Sequence, residues 1–274
     1  MNCEVYMSNL VLKTRAESTE LKKAACSIEQ AAWNDLGYLN YTRAHFESYG
    51  ELLEHFPDYQ MCLVDEELGY PVAVANCVPM YFSDTDELPA EGWDWVVERA
   101  TESRRTGKAN VLGGLAISIP DVYRARGYGH IMIRAMVDKA ARNGLSCLLA
   151  PVRPSAKARF PRVPIHEYIN WTDGYGRPFD PWLRSHLSSG GKLIGPCERS
   201  MVVHEHIGFW QNWSKQRFET SGFYEIEGAL APVDIDVEHL MGRYEEPNVW
   251  VVYQAERMTK PISEMLASRR RRTH

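Results

Sequence analysis

Apolar positions organise the chain most clearly between residues 110 and 144. Residues 111–119 are almost all apolar or small, which predicts a buried strand that ends at Pro120. After a short polar loop, apolar side chains recur at the spacing of one helix face: Met132, Ala135, Met136 and Ala140. Asn143 and Gly144 are typical of a helix end. The stretch therefore predicts strand, loop and helix in direct succession.

The residues before this stretch predict helices first and then a hairpin. Thr14 and Glu17 have capping-box spacing, and a helix over 17–36 follows from one apolar face: Leu21, Ala24, Ala25, Ile28 and Ala32. Gly37 is the expected end of that helix. Further elements are a helix over 42–55, strands over 60–65 and 72–79 joined by an acidic turn, and a polar segment, 83–108, with a helical middle at 92–104.

The residues after this stretch are less regular. A second apolar strand is predicted at 146–152, followed by an irregular Pro-, Gly- and aromatic-rich loop at 153–179. Asp180 and Pro181 suit the start of a short helix over 180–189. Strands are expected at 199–206 and 249–254. The aromatic residues of 207–248 could wall a pocket or simply extend the core.

The loop between the strand and the helix has the chemistry of an anion site. Arg124 and Arg126 precede two glycines, Gly127 and Gly129. Glycine lets the backbone approach a ligand closely, and a helix start supplies unpaired N–H donors and a positive dipole end. Guanidinium groups suit phosphate oxygens. A diphosphate is the expected ligand, although the loop lacks the third glycine of a dinucleotide fingerprint and the Gly-Lys-Ser/Thr of a P-loop.

The pattern Arg124-Ala125-Arg126-Gly127-Tyr128-Gly129 resembles the R/Q-x-x-G-x-G/A motif of GCN5-related N-acetyltransferases, the GNAT superfamily. The order of elements over roughly residues 10–160 also resembles the core of that superfamily after its first strand. The resemblance implies an α/β (α+β) fold with a mixed, mostly antiparallel central sheet flanked by helices, here with an enlarged C-terminal half.

The resemblance also implies where acyl-CoA binds. The pantetheine arm would pair with fourth-strand backbone at Ile117, Ser118 and Ile119. The diphosphate would lie on the loop and the helix start: Arg124, Arg126, Gly127, Tyr128, Gly129 and His130.

Two catalytic positions of the superfamily are filled differently in this chain. Many members carry a glutamate base on the fourth strand, but residues 110–119 contain no acid. Many carry a tyrosine acid after the fifth strand, where the comparable residue is Phe160. The irregular loop offers acid–base candidates instead, because an imidazole titrates at ~6.5 and a phenol can protonate sulfur: His166, Glu167 and Tyr168. Water relays to a low-pKa amine are the alternative without a side-chain base.

Net charge and composition limit the classes of partner that the chain can bind. The 274 residues carry a net charge of −5; the tail 256–274 has six Lys/Arg and two Asp/Glu, so the remaining chain carries −9. An acidic body argues against nucleic-acid binding and is compatible with a cationic amine. Apolar runs fall short of the ~18–20 residues of a membrane span, so no membrane association and a cytoplasmic location are predicted.

Cysteine and histidine spacing gives no sign of a metal centre. The six cysteines contain no CxxC pair and are predicted to be reduced. His204 and His206 share a strand face, but the sequence implies no third ligand and the resemblance implies metal-free chemistry, so no metal is predicted.

Together these features predict a single GNAT-like domain over residues 1–274. Its core would be about 10–160, 180–206 and 249–254, with insertions at about 83–108, 153–179 and 207–248 and a basic tail at 256–274.

The expected function is acyl-CoA-dependent N-acyl transfer, from acetyl-CoA to an amine of a small-molecule metabolite, by direct attack in a ternary complex. Two alternatives stay open: other acyl-CoA chemistry on this fold (a longer acyl donor, O-acylation or decarboxylation) and CoA binding without catalysis. A homodimer paired through strand 249–254 also stays open.

Overall fold

One sheet of nine strands runs through the chain, which a computed structural model describes over residues 9–83 and 87–255. The strands in chain order are β1 (Leu10–Thr14), β2 (Gln60–Asp65), β3 (Tyr70–Met80), β4 (Val111–Ser118), β5 (Cys147–Val152), β6 (Lys192–His206), β7 (Gly222–Tyr224), β8 (Val233–Asp236) and β9 (Met241–Gln254). Across the sheet their order is β1-β2-β3-β4-β5-β9-β8-β7, and β6 pairs with β9 beside this path. Only β4 and β5 are parallel in the part described.

Helices cover both faces of this sheet. They are α1 (Thr19–Trp33), α2 (Gly50–His55), α3 (Trp93–Thr106), α4 (Tyr128–Arg142), α5 (Ile165–Tyr168), α6 (Pro181–Ser188) and α7 (Ile207–Ser214). One apolar core lies between the sheet and α4, α5 and α6; another lies under α3, α7 and the segment 34–56. The predicted mixed, mostly antiparallel sheet flanked by helices is confirmed. Within the described residues, no helix combines the length and apolarity needed to cross a bilayer.

The strand, loop and helix at the centre of the sequence form as predicted. The four apolar residues of the predicted helix face are all buried in α4: Met132, Ala135, Met136 and Ala140. The helix ends at Arg142 with Asn143 as its C-cap, and Gly144 follows in the left-handed region with φ +72°. The local pattern of apolar residues is sufficient to predict these elements, because the strand is buried on both faces and the helix packs directly on it.

The first helix is shorter than predicted. It begins at Thr19, where the Ser18 hydroxyl accepts a hydrogen bond from the Leu21 N–H at 3.0 Å. It ends at Trp33, and the chain continues as a 3₁₀ segment over Asn34–Tyr41 instead of stopping at Gly37. Gly37 serves packing: a Cβ there would lie 2.8 Å from the ring of Trp213.

The second predicted helix, 42–55, is present but irregular. It starts with a π-helical turn over His45–Tyr49 and continues as α2.

The C-terminal strands are much longer than predicted. The expected strands 199–206 and 249–254 are parts of β6 and β9, which pair from Lys192↔Val252 to His206↔Met241. Register shifts at 193–195 and 197–201 interrupt the alternation that would have marked the full length of β6. The segment 207–248 extends the core, because Trp210 is completely buried within it. The division into a core and three insertions stays a prediction, and the basic tail lies outside the described residues.

Two cations, the partly buried Arg153 and the buried Lys157, connect the chain after β5 to this C-terminal extension. The Arg153 guanidinium pairs with Glu246 and donates through Nη2 to the Gly228 carbonyl at 2.6 Å. The Lys157 ammonium donates to the Leu230 carbonyl at 2.6 Å. The Glu246 side chain is 0% exposed. Because a buried charge is costly without a partner, these bonds fix one segment against the other.

We expect Glu246→Gln to destabilise the protein by about 3 kcal/mol, because it removes the carboxylate partner of the partly buried Arg153 guanidinium. The matched control is Glu245→Gln on the same strand, where an exposed carboxylate pairs with Arg243. Glu245→Gln should lower the free energy of unfolding by less than ~1 kcal/mol. Urea unfolding followed by circular dichroism measures both values, and equal losses would show that the buried pair has no special role.

Candidate active site

A gap opens in the sheet because β4 and β5 pair over two positions only. The paired residues are Leu112↔Leu148 and Gly113↔Leu149. Beyond them, β4 continues to Ser118 and β5 to Val152 without pairing to each other. Backbone N–H and C=O groups need hydrogen-bond partners, so the two facing edges offer such groups to a ligand.

A bulge in β4 accompanies this divergence. Asn76 of β3 faces Ala116 and Cys77 faces Gly114, so Leu115 has no partner on β3. The Trp93 indole Nε1 donates to the Leu115 carbonyl at 2.9 Å. Bulges bend a strand and increase its twist. The start of α3 is therefore attached to β4 at the point where the gap begins.

Glycines beside the bulge let the neighbouring elements approach closely. A Cβ on Gly113 would lie 2.5 Å from Val96 of α3, on one face of the sheet. A Cβ on Gly114 would lie 3.2 Å from both Met136 of α4 and Ala150 of β5. Helices on both faces thus pack directly on the strand where it leaves its neighbour.

The predicted anion loop lies between the end of β4 and the start of α4. Ala125 and Gly127 are left-handed, with φ of +60° and +76°, and α4 begins directly afterwards at Tyr128. Arg124 pairs with Asp121 at 2.9 Å, and the Arg126 guanidinium lies over the Tyr123 ring at 5.3 Å. The first-turn N–H groups of α4 have no acceptors within their own helix. The loop therefore combines free N–H donors with two cations.

The structure brings the predicted donor-binding residues together at one end of the gap. Ile117, Ser118 and Ile119 end β4 or follow it, and the Ser118 hydroxyl accepts from the Trp33 indole at 2.9 Å. His130 Nε2 lies 3.1 Å from the Ser188 hydroxyl of α6. The remaining members are in the loop or the first turn of α4: Arg124, Arg126, Gly127, Tyr128 and Gly129.

The predicted acid–base candidates lie on α5, on the same face of the sheet as α4. The Tyr168 hydroxyl is buried and donates to Asp180 at 2.9 Å, and burial raises its pKa. Asp180 also accepts from the first-turn N–H groups of α6, so Tyr168 supports this helix start. His166 and Glu167 are exposed. The assignment of acid–base roles to His166, Glu167 and Tyr168 stays a prediction.

Aromatic rings line the opposite face near the gap, and the sequence analysis did not single them out. His45 stacks on Tyr49 with centroids 4.8 Å apart and on Trp93 with centroids 5.8 Å apart. Burial lowers the pKa of His45. Trp93 fits the apolar face of α3, so periodicity alone marks it as core. The only local signal was an indole N–H at a helix start, which needs a partner when buried.

An acidic cavity of about 630 Å³ lies next to these rings. Its wall includes Asp94, which follows Trp93, together with Tyr41, Thr42, Glu98, His204 and Glu205. The two arginines in the wall, Arg43 and Arg243, pair with Glu47 and Glu245. The remaining carboxylates therefore give the cavity a negative character.

Asp94 is the most perturbed group of this cavity. The Val202 N–H donates to its Oδ2 at 2.9 Å and the Thr42 side chain also hydrogen-bonds the carboxyl, while the buried Oδ1 lacks a close partner among the described residues. Burial raises the pKa of Asp94 to about 6. A cation placed against Oδ1 would offset the cost of burying this charge.

Metal ligands are not grouped in the part of the chain that the structure describes, where no cluster of three or more His, Cys, Asp or Glu is arranged around a common point. His206 Nδ1 accepts from the Gly208 N–H at 3.0 Å and so caps α7, while His204 lines the cavity. Among the described residues five cysteines form no disulfide, and their predicted reduced state stays a prediction: Cys26, Cys62, Cys77, Cys147 and Cys197.

Comparison with known proteins identifies similar chains, although no family model matches the sequence. The arginine N-acetyltransferase avaD of Aspergillus versicolor is 32% identical over 223 residues, which cover 72% of this chain and 77% of that protein. The loading GNATL domain of CurA from Lyngbya majuscula shares the fold with a TM-score of 0.57 at 17% identity, over 90% of this chain and 98% of that one. The GphF GNAT-like decarboxylase, solved in complex with isobutyryl-CoA, matches with a TM-score of 0.54 at 16% identity, over 90% of this chain and 100% of that one.

Proposed function

The chain belongs to the GCN5-related N-acetyltransferase superfamily and is an acyltransferase, and from this premise we propose that it transfers an acetyl group from acetyl-CoA to a nitrogen of arginine or a closely related cationic small molecule. The observation that carries the proposal is the 32% identity over 223 residues to an enzyme named for arginine N-acetylation. The superfamily expected from the loop motif is confirmed by the same relationship.

The donor-side residues fit acyl-CoA in their chemistry. Free first-turn N–H groups of α4, Gly127 and the two arginines of the loop suit a diphosphate. The unpaired edge of β4 around 117–119 suits the amide groups of a pantetheine arm. We assign donor binding to the same residues as the sequence analysis: Ile117, Ser118, Ile119, Arg124, Arg126, Gly127, Tyr128, Gly129 and His130.

The acceptor would approach from the other face of the sheet. Trp93 reaches the bulge of β4, and its neighbour Asp94 lines the acidic cavity. Carboxylates without cationic partners suit the guanidinium group of arginine. In this arrangement the donor lies on the α4 face and the acceptor on the α3 face, and the two meet across the gap between β4 and β5.

The chemistry required of this site is direct acyl transfer. The acceptor nitrogen forms a bond to the thioester carbonyl carbon, and the C–S bond then breaks. The nitrogen loses a proton to water or to a nearby base, and the departing CoA thiolate takes up a proton. Backbone N–H groups on the free edge of β4 are donors for the oxyanion. This chain supplies orientation and hydrogen bonds.

The deciding experiment mixes purified protein with acetyl-CoA and an amine panel of arginine, agmatine, ornithine and lysine. Free thiol is measured with a chromogenic reagent, and products are identified by mass spectrometry. We expect thiol release that depends on arginine and equals the amount of N-acetylated product. Thiol release without an acceptor, or carbon dioxide release from malonyl-CoA without acyl transfer, would favour the alternative chemistries of the fold.

We expect Gly127→Ala to weaken acetyl-CoA binding at least about ten-fold. Gly127 has a left-handed φ of +76°, which strains any residue with a Cβ, so the alanine should shift the backbone N–H donors of the loop. Isothermal titration measures the dissociation constant. The matched control is Gly107→Ala, at φ +68° after α3, with no atom within 4 Å of the new Cβ.

Both substitutions should cost about 1–2 kcal/mol of stability, but only the first should affect donor affinity. Unchanged donor binding in Gly127→Ala would remove the loop from the site.

Arginine binding should weaken at acidic pH through Asp94. Because burial raises the pKa of Asp94 to about 6, the carboxyl is mostly protonated and neutral below that pH, and its attraction for a guanidinium is lost. We expect the KM for arginine to rise as pH falls through this range. Asp94→Asn should raise that KM about 10- to 100-fold at neutral pH and flatten its pH dependence, because a charged hydrogen bond contributes ~1.5–3 kcal/mol.

The control for this pH effect is Glu91→Gln in the same cavity wall, whose carboxylate is already paired with Arg199. Its KM should change little. If Asp94→Asn changed neither the KM for arginine nor its pH profile, the acidic cavity would not be the acceptor site.

A further inference from the structure

We propose that the Trp182 indole forms one wall of the donor channel and contacts the pantetheine arm where this arm passes from the diphosphate loop into the gap. The inference rests on the proposed use of acyl-CoA but not on the identity of the acceptor. It adds a binding residue from α6 to a site that the motif confines to β4, the loop and α4.

The position of Trp182 follows from what surrounds Gly129. A Cβ built on Gly129 would lie 2.8 Å from Cζ3 and 3.0 Å from Cη2 of the Trp182 ring, and 3.8 Å from Cδ1 of Ile119. Gly129 lies in the first turn of α4, and Ile119 directly follows β4. Trp182 therefore lies beside both the place assigned to the diphosphate and the end of the strand assigned to the pantetheine arm.

This contact also explains why position 129 is a glycine, and the explanation differs from the one for Gly127. Gly127 adopts a left-handed φ, whereas Gly129 is in the ordinary helical turn and is absent from the positive-φ residues. A side chain at 129 would displace the indole. The second glycine of the loop motif thus makes room for an aromatic wall.

Several contacts hold the indole in this place. Trp182 lies in the first turn of α6, and its backbone N–H donates to Asp180 Oδ1 at 2.9 Å. The His186 ring packs edge-on against the indole with centroids 4.6 Å apart. His186 Nδ1 lies 2.7 Å from the Tyr253 hydroxyl, and burial lowers the pKa of His186 to about 3, so it stays neutral.

Trp182 is partly exposed, as Trp95 and Trp213 also are, so the core does not enclose its ring. Trp210 and Trp250 are 0% and 1% exposed, whereas Trp182 is only partly buried. Its packed side faces Gly129 and His186, so part of the ring remains available to a ligand. An aromatic ring held in this way provides an apolar contact surface at a low entropic cost.

Donor titration with Trp182 variants tests the inference. The probes are coenzyme A, which carries the pantetheine arm, and ADP, which carries a diphosphate without it. We expect Trp182→Ala to weaken coenzyme A binding at least about ten-fold, equivalent to ~1.4 kcal/mol, and to leave ADP binding within about two-fold. Trp182→Phe should give an intermediate loss. The control is Trp95→Phe on α3, where the ring packs against Trp250 and Phe82.

Fluorescence gives a second measurement that does not depend on the alanine variant being well folded. Coenzyme A should quench part of the tryptophan emission of the wild type, and this part should be missing in Trp182→Phe but present in Trp95→Phe. Unchanged coenzyme A affinity in folded Trp182→Ala, or an equal loss for ADP, would overturn the inference.

The test separates this inference from the acceptor proposal. Coenzyme A binding that depends on Trp182, in a protein that does not acetylate arginine, would refute the proposed acceptor and support the aromatic wall. If the protein acetylates arginine and the Trp182 variants bind the donor normally, the proposed acceptor is supported and the aromatic wall is refuted.

Discussion

The divergence of β4 from β5 is the constraint on which the rest of the structure depends. Two parallel strands in one sheet would normally pair along their whole length, since every unpaired backbone group inside a protein is costly. Here the pairing stops after Gly113↔Leu149. The bulge at Leu115 turns β4 away, and the bond from the Trp93 indole holds it there. Helix α3 packs on Gly113 from one face and α4 packs near Gly114 from the other, and beyond these glycines the edges of β4 and β5 are not paired with each other.

The two faces of the sheet provide different chemistry. The α4 face presents helix N–H groups, two arginines and a partly exposed indole, which suit a long anionic and amphipathic donor. The α3 face presents stacked rings and a cavity with excess carboxylate, which suit a cation. Buried bonds from Arg153 and Lys157 to Gly228 and Leu230 join the segment after β5 to the C-terminal extension. The sheet separates these opposite charges, so they do not neutralise each other.

The sequence allowed the centre of the fold to be predicted because its signals are local. The run 111–119, the glycine loop and the apolar face of α4 are set by neighbouring residues, and the structure reproduces them within a residue or so. Features that depend on distant contacts were missed. Gly37 suggested a helix end but makes room for Trp213, and register shifts hid most of β6. For the site, the loop was visible as a motif, whereas Trp93, Asp94 and Trp182 gain their meaning only from elements far away in the chain.

The pairing of β9 has a consequence for the order in which the protein is made. The side of β5 that faces away from the gap pairs with β9, from Cys147↔Gln254 to Val152↔Val249. A chain that leaves the ribosome from its N-terminus has the whole glycine loop and α4 exposed long before β9 exists, and contacts so distant in sequence form slowly. Until residue 254 has emerged, β5 lacks this partner and one rim of the gap lacks its support. The nascent chain therefore completes its ligand space only once β9 has emerged, and loss of β9 would remove the support of one rim while leaving the loop motif intact.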